Sequence, residues 1–218
     1  MNSDEIRALS FATMDDGEEL ARAEIYGLLA RLWFSPPDDE LMQQFKVAVT
    51  QALLPLLRKA RGRIVFVGSY SGRFTFPFLG GYAASKHALE AVADAFRLEL
   101  RPSGIKVSLL EPGAIKTEIW RKADGHHEAL LREVPAIEAL YGDSLAAMLD
   151  TPKLGKATGI APARVGKLIA GVLQARFPRA RYAVGLDAKA MIPFFWLLPT
   201  FLADAVIALG LRVLARSR

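Results

Sequence analysis

The sequence predicts an α/β fold, because two strand-like apolar runs flank one long helix-forming segment. Residues 65–67 form a short apolar run that ends at Gly68 and Ser69, which is typical of a strand buried on both faces. Residues 82–100 are rich in Ala and Leu and contain few helix breakers, and residues 105–110 form a second strand-like run. This order predicts a right-handed crossover between two parallel strands.

A further helix, a third strand and an apolar tail are predicted after residue 160. A helix is expected over 161–174 and a strand over 181–185, so the sheet should have three strands, around residues 64, 105 and 182, with helices on both faces. Residues 191–215 are strongly apolar but are interrupted by two prolines and an aspartate. These interruptions disfavour a membrane-spanning helix, whereas surface contact with a membrane or contact with another subunit fits.

Three side chains in this region have complementary chemistry. Ser69 follows the first predicted strand, and Tyr82 and Lys86 are i,i+4 neighbours on one helical face. A nearby ammonium lowers the pKa of a phenol from its usual value of about 10, so that Tyr82 can exchange a proton with an alcohol or a carbonyl. Ser69 can donate a hydrogen bond to the same oxygen. Taken separately, the Tyr–Lys pair is typical of a solvated helix face and the serine of a turn; only their combination favours this chemistry.

Three segments resemble the short-chain dehydrogenase/reductase family. Residues 62–65 resemble its serine strand, residues 82–89 its catalytic helix and residues 111–117 the turn beside its nicotinamide, in the expected order. The segment 181–189 and the apolar tail resemble the retinol and hydroxysteroid branch, which often touches membranes. The resemblance implies a Rossmann-like fold, an oxidoreductase activity and NAD or NADP as cofactor.

The resemblance also implies a role for each matching residue. Ser69 would orient the substrate oxygen, Tyr82 would act as acid or base, and Lys86 would lower the pKa of the tyrosine and hold the nicotinamide ribose. The remaining positions that match the nicotinamide lining are Pro112, Gly113, Ile115 and Thr117.

The sequence departs from the family pattern upstream of these segments. Family members carry a glycine-rich turn that receives the pyrophosphate, whereas residues 1–45 contain only Gly17 and Gly27. The family's supporting asparagine would align near Met42, and the chain has no asparagine after Asn2. We therefore expect a truncated Rossmann-like parallel sheet with flanking helices and an incomplete cofactor site.

A helical N-terminal extension is predicted in place of that turn. Residues 18–34 have a helical period with a broad apolar face, and residues 22–41 resemble the opening of TorD-like molybdoenzyme maturation chaperones. We expect a division into a helical segment, residues 1–45, and the C-terminal part of a dehydrogenase domain, residues 46–218. An amphipathic helix that covers the sheet is the simpler alternative to a chaperone function.

Composition restricts the cofactors and partners. The chain has no cysteine, which excludes disulfides and thiolate metal sites and fits a cytoplasmic location, and His126 and His127 have no third ligand at a useful spacing, so no metal site is predicted. The net charge of +5 comes from basic residues spread along the chain, which argues against a nucleic-acid partner. Residues 120–154 are expected to cover a small apolar alcohol or carbonyl substrate.

Three functions remain open from the sequence. The first is hydride transfer between an alcohol or carbonyl and a nicotinamide; the second is a non-catalytic interaction protein. The third is a hydrolase that uses Ser69 as nucleophile. An exposed sheet edge and the Ala-rich helix around Tyr82 also predict a homo-oligomer.

Overall fold

The computed structural model describes residues 39–118, 147 and 150–216 of the chain. The predicted helix over 18–34, the pair His126 and His127, and most of the predicted substrate cover at 120–154 lie outside these residues. The described elements, in chain order, are α1 (Asp39–Ala60), β1 (Arg63–Val67), α2 (Gly80–Glu99), β2 (Lys106–Pro112), α3 (Thr151–Thr158), α4 (Pro162–Gln174), β3 (Arg181–Val184), α5 (Leu186–Leu197) and α6 (Thr200–Arg216).

The three strands form a parallel sheet in the order β1-β2-β3, which confirms the predicted sheet. Strand β2 is longer than expected and includes Glu111 and Pro112, which the sequence placed in a turn. These two residues pair with Ala183 and Val184 of β3, and this pairing extends the strand. The predicted division at residues 45 and 46 falls within α1.

Apolar side chains cover both faces of the sheet. On one face, Leu109 of β2 packs with Leu89 of α2 and with partly buried residues of α1. On the other face, Leu110 packs with Val165 of α4. Complete burial of a leucine side chain contributes about 1.5–3 kcal/mol, so the alternation along β2 holds helices to both faces.

An ionic cluster of five side chains joins α2 to both neighbouring strands and to the chain after β1. Arg73 Nε donates a hydrogen bond to Glu111 Oε1 at 2.5 Å, and its Nη2 lies 3.5 Å from Glu90 Oε2. Arg181 Nε donates to Glu90 Oε2 at 2.9 Å, and its Nη2 donates to Asp94 Oδ2 at 2.6 Å. Each arginine thus bridges two carboxylates.

The carboxylates of this cluster differ in proton affinity. Burial raises the pKa of Glu90 to about 7, and the nearby charge of Glu111 adds to this effect, while the hydrogen bond from Arg181 opposes it. The hydrogen bond from Arg181 lowers the pKa of Asp94. Of the two carboxylates that Arg181 bridges, Glu90 is therefore the one that takes up a proton near neutrality.

The raised pKa of Glu90 predicts how stability varies with pH. The folded chain binds this proton more tightly than the unfolded chain, so the contribution of Glu90 is fully present below its unfolded pKa of about 4.5 and is lost as pH rises through about 7. The free energy of unfolding of the wild type relative to Glu90→Gln should fall between about pH 5 and pH 8, measured by urea denaturation. Glu99→Gln, at the exposed end of the same helix, is the matched control. If the free energy of unfolding of the wild type relative to Glu90→Gln rises with pH, the raised pKa of Glu90 is contradicted.

Candidate active site

The carboxyl ends of the strands meet at one edge of the sheet, where open α/β sheets bind ligands. Ser69 follows β1 there, and Gly113 follows β2. The Gly68 N–H donates to Leu110 O at 2.8 Å, which holds the chain beside β2 as it leaves β1. A Cβ at Gly68 would lie only 3.2 Å from that carbonyl oxygen, so glycine permits the close approach.

Ser69 is buried at the start of a single 3₁₀ turn, Tyr70–Gly72. Its Oγ accepts a hydrogen bond from the Ser71 N–H at 3.2 Å and donates to Pro112 O at 3.5 Å. The second distance is at the long limit for a hydrogen bond, so this contact is weak. The hydroxyl hydrogen can therefore be redirected to another oxygen at little cost.

Tyr82 and Lys86 lie in the first two turns of α2, and both are half-buried. Lys86 Nζ lies 5.2 Å from the centroid of the Tyr82 ring. The amino-terminal turn of a helix also favours negative charge, because its N–H groups point outward. The ammonium and the helix terminus therefore both place positive charge near the Tyr82 ring.

A second phenol, Tyr70, lies in the same region, and sequence reasoning missed it. Burial raises the pKa of Tyr70 to about 12, and the charges of Asp187 and Tyr82 add to this effect. Tyr70 therefore stays protonated near neutrality. Its electrostatic interactions with Asp187 and Tyr82 indicate that Tyr70 lies near the starts of α5 and α2.

Asp187 supports the turn after β2, and sequence reasoning missed this role too. Its Oδ2 accepts a hydrogen bond from the Ala114 N–H at 2.7 Å, and its Oδ1 accepts from the Ala188 N–H at 2.8 Å. A Cβ at Gly113 would collide with this carboxylate, so a larger residue there would displace Asp187 from its hydrogen bond with Ala114. The available sequence signal was an aspartate two residues after the glycine that ends β3.

The predicted nicotinamide-side residues differ in exposure. Pro112 is buried at the end of β2, and Ile115 is half-buried and forms a parallel bridge with Ile160. The Lys116 N–H donates to Ile160 O at 2.9 Å, which fixes the backbone beyond Gly113. Thr117 is exposed and follows this supported segment.

An aromatic wall joins the segment that follows Ser69 to α5. The ring of Phe74 lies 5.2 Å from that of Tyr70, 5.6 Å from that of Phe76 and 4.6 Å from that of Phe195. Such offset and edge-to-face contacts stabilise aromatic clusters by about 0.5–1.5 kcal/mol per pair. The polar groups of the site thus lie next to an apolar surface.

Comparison with known proteins gives one family. The short chain dehydrogenase family matches residues 43–128. The chain is 36% identical over 168 residues to human retinol dehydrogenase 16, covering 74% of this chain and 52% of that protein. It is 33% identical over 189 residues to the probable short-chain type dehydrogenase/reductase VdlC of Helicobacter pylori, covering 84% of this chain and 66% of that protein.

Solved structures agree with the fold. A short-chain dehydrogenase from Streptomyces avermitilis superposes with a TM-score of 0.52 at 25% identity, covering 74% of this chain and 53% of that chain. A short chain dehydrogenase from Burkholderia cenocepacia in complex with NADP gives a TM-score of 0.52 at 19% identity, covering 75% and 58%.

These comparisons confirm the family resemblance and the α/β Rossmann-like fold. The chain spans about half the length of the curated retinol dehydrogenases that it matches. The match begins near the start of α1 and includes the segments that carry Ser69, Tyr82, Lys86 and Gly113. Residues 43–128 of the chain therefore match the short chain dehydrogenase family.

Proposed function

We propose that the chain interconverts an alcohol and a carbonyl by hydride transfer to or from NAD or NADP. The observation that supports this most is the placement of Ser69 and of the Tyr82–Lys86 pair at the carboxyl edge of a parallel sheet. A serine hydroxyl, a phenol and an ammonium are the groups that this reaction needs. Two human relatives, retinol dehydrogenase 16 and 17-beta-hydroxysteroid dehydrogenase type 6, have names that agree with this reaction.

Each of the three residues has one task in the proposed reaction. In the oxidation direction, Ser69 Oγ–H donates a hydrogen bond to the substrate oxygen, and the Tyr82 phenolate accepts the hydroxyl proton. The substrate carbon loses a hydride as its C–O bond becomes a carbonyl. The Lys86 ammonium stabilises the phenolate, and in the reduction direction Tyr82 returns the proton to the oxygen.

The residues at this edge fit the nicotinamide end of the cofactor. The Lys86 ammonium and the exposed Thr117 hydroxyl offer donors to a ribose and a carboxamide, and Pro112, Gly113 and Ile115 provide a backbone supported by Asp187. The nicotinamide supplies or accepts the hydride. The sequence contains no glycine-rich turn for the pyrophosphate, so binding of the nucleotide by this chain is the first property to measure.

A small apolar alcohol or carbonyl is the proposed substrate. The aromatic wall of Tyr70, Phe74, Phe76 and Phe195 supports this class, because three of its four rings come from the segment that directly follows Ser69. Apolar pockets with a few placed polar groups are typical of small-molecule sites. The relatives named for retinol and hydroxysteroids are consistent with the same class.

We also propose that α5 and α6 contact a membrane surface. Trp196 is 81% exposed and Phe201 is 70% exposed, and Leu209 and Val213 extend the same apolar character along α6. Arg212 lies among these residues and can attract anionic lipid headgroups. No helix among the described residues is long and apolar enough to cross a membrane.

Two further interpretations stay predictions. One is a homo-oligomer formed through the Ala-rich face of α2 or the edge of β1, which light scattering on the purified chain would measure. The other is the division into a TorD-like segment, residues 1–45, and a dehydrogenase part, residues 46–218.

Nucleotide binding tests the proposed function directly. We expect calorimetric titration with NADH and NADPH to show binding below about 1 mM, with one of the two preferred. Lys86→Met should weaken this binding. Lys106→Met should not, because Lys106 lies at the amino end of β2, away from the carboxyl edge of the sheet. Absence of binding for both nucleotides would rule out hydride transfer by this chain.

The two phenols provide a matched pair of variants. Tyr82→Phe should lower kcat for oxidation of an apolar alcohol by about 10²–10⁴-fold, because it removes the group that exchanges the proton. Tyr70→Phe should retain most of the turnover, since its phenol, with a pKa of about 12, stays protonated. Initial rates of NADH or NADPH formation measure both. Equal losses in the two variants would contradict the assignment of Tyr82.

Vesicle sedimentation tests the membrane contact. The double variant Trp196→Ala, Phe201→Ala should bind vesicles of phosphatidylcholine and phosphatidylserine at least about tenfold more weakly than wild type, because burying an aromatic side chain contributes about 1.5–3 kcal/mol. Phe177→Ala is the control, since Phe177 is 78% exposed but precedes β3, away from α5 and α6. Unchanged binding in the double variant would exclude this surface.

A further inference from the structure

Arg73 lies directly after the turn that carries Ser69. The Gly72 N–H donates to Ser69 O at 3.0 Å, and the Arg73 N–H donates to Tyr70 O at 2.9 Å. Together with the Ser71 N–H on Ser69 Oγ, these bonds make residues 69–73 one compact unit. Contacts that fix the Arg73 side chain therefore also restrict the position of Ser69.

The two carboxylates bridged by Arg73 belong to the elements that carry the rest of the site. Glu111 immediately precedes Pro112, whose carbonyl faces Ser69, and its side chain is only 4% exposed. Glu90 lies one helical turn after Lys86, and its side chain is 10% exposed. One guanidinium thus connects the serine turn to the end of β2 and to the helix of Tyr82.

Backbone packing shows how close the serine turn lies to α2. A Cβ at Gly72 would lie 2.9 Å from Lys86 O and 3.2 Å from Glu90 Cγ. Glycine therefore permits the turn to touch the helix at Lys86. The ion pair of Arg73 with Glu90 links the turn to α2 across this contact, and its ion pair with Glu111 links the turn to β2.

Loss of the Arg73 cation would remove the ion-pair partner of the buried Glu111, whereas Glu90 would keep its ion pair with Arg181. Glu111 already raises the pKa of Glu90, while Arg73 and Arg181 oppose that rise. A buried carboxylate that loses its partner costs several kcal/mol or takes up a proton. In either case the attraction that draws the turn towards α2 and β2 is reduced.

We propose that Arg73 is a positioning residue that sets Ser69 against the Tyr82–Lys86 pair by bridging Glu111 of β2 and Glu90 of α2. Its part in the reaction rests on the proposed oxidoreductase function. Its hold on the serine turn does not, because it follows from the contacts alone.

Arg181 provides a control within the same cluster. It bridges Glu90 and Asp94, so it shares one carboxylate with Arg73 and has a similar side-chain exposure, 26% against 34%. It lies at the start of β3, and its ion pairs do not involve the serine turn. A substitution of Arg181 disturbs the cluster without releasing Ser69.

The first measurement is amide hydrogen exchange of Ser71, Gly72 and Arg73 in the full chain. In Arg73→Gln these amides should exchange at least about tenfold faster than in wild type, because their hydrogen bonds to Ser69 and Tyr70 open more often. Arg181→Gln should leave their exchange close to the wild-type rate. Arg73→Lys should give an intermediate rate, since it keeps the charge but loses the fork that reaches both carboxylates.

The second measurement separates kcat from KM for alcohol oxidation. Arg73→Gln should lower kcat about tenfold to a hundredfold with little change in KM, because a displaced Ser69 mispositions the reacting oxygen after binding. Arg73→Lys should recover part of kcat. Arg181→Gln should keep kcat near the wild-type value even where its melting temperature falls as far as that of Arg73→Gln.

The outcomes separate this inference from the proposed function. If the wild-type chain shows no turnover, the proposed function is contradicted. The hydrogen-exchange measurement still tests whether Arg73 stabilises the serine turn, because it does not depend on turnover. Equal exchange rates at residues 71–73 in Arg73→Gln and Arg181→Gln would overturn the inference. If Arg73→Gln does not fold, Glu111→Gln removes the same bridge from the strand side and should accelerate the same amides.

Discussion

The parallel pairing of β2 with both neighbours is the constraint on which the site depends. Because β1 and β3 run in the same direction as β2, all three carboxyl ends open at one edge of the sheet. Ser69, Gly113 and Asp187 come from three distant parts of the chain, and each lies at or just beyond a strand end. Parallel strands require long crossovers, so the helix between β1 and β2 brings Tyr82 and Lys86 to the same edge.

The ionic cluster adds a second constraint on the site, and burying its charged groups costs free energy. Burying carboxylates and guanidinium groups is expensive, and an apolar core of equal volume would often be as stable. The ionic cluster, in return, has fixed partners: Arg73 reaches Glu111 and Glu90, and Arg181 reaches Glu90 and Asp94. Directional ion pairs define relative positions of a turn, a helix and two strands, which apolar contacts define less sharply.

Helix α5 connects the apolar interior of the site with the apolar exterior of the chain. Phe195 stacks on Phe74 of the aromatic wall, whereas the next residue, Trp196, points into solvent and is 81% exposed. Asp187 at the start of the same helix supports the turn after β2. One element therefore combines a polar contact with the backbone, an apolar contact beside the site and an exposed apolar surface.

Local pattern determined the parts of this protein that depend on near neighbours in sequence. The three strands, helix α2 and the spacing of Ser69, Tyr82 and Lys86 could be predicted, because apolar runs, helix propensity and i,i+4 geometry act over a few residues. Only the tertiary structure decided the length of β2, which pairing with β3 extends through Pro112. It also decided the partner of Arg73, 38 positions away at Glu111, and that of Ala114, 73 positions away at Asp187. Such pairs depend on which strands become neighbours in the sheet, and no local pattern in one sequence carries that information.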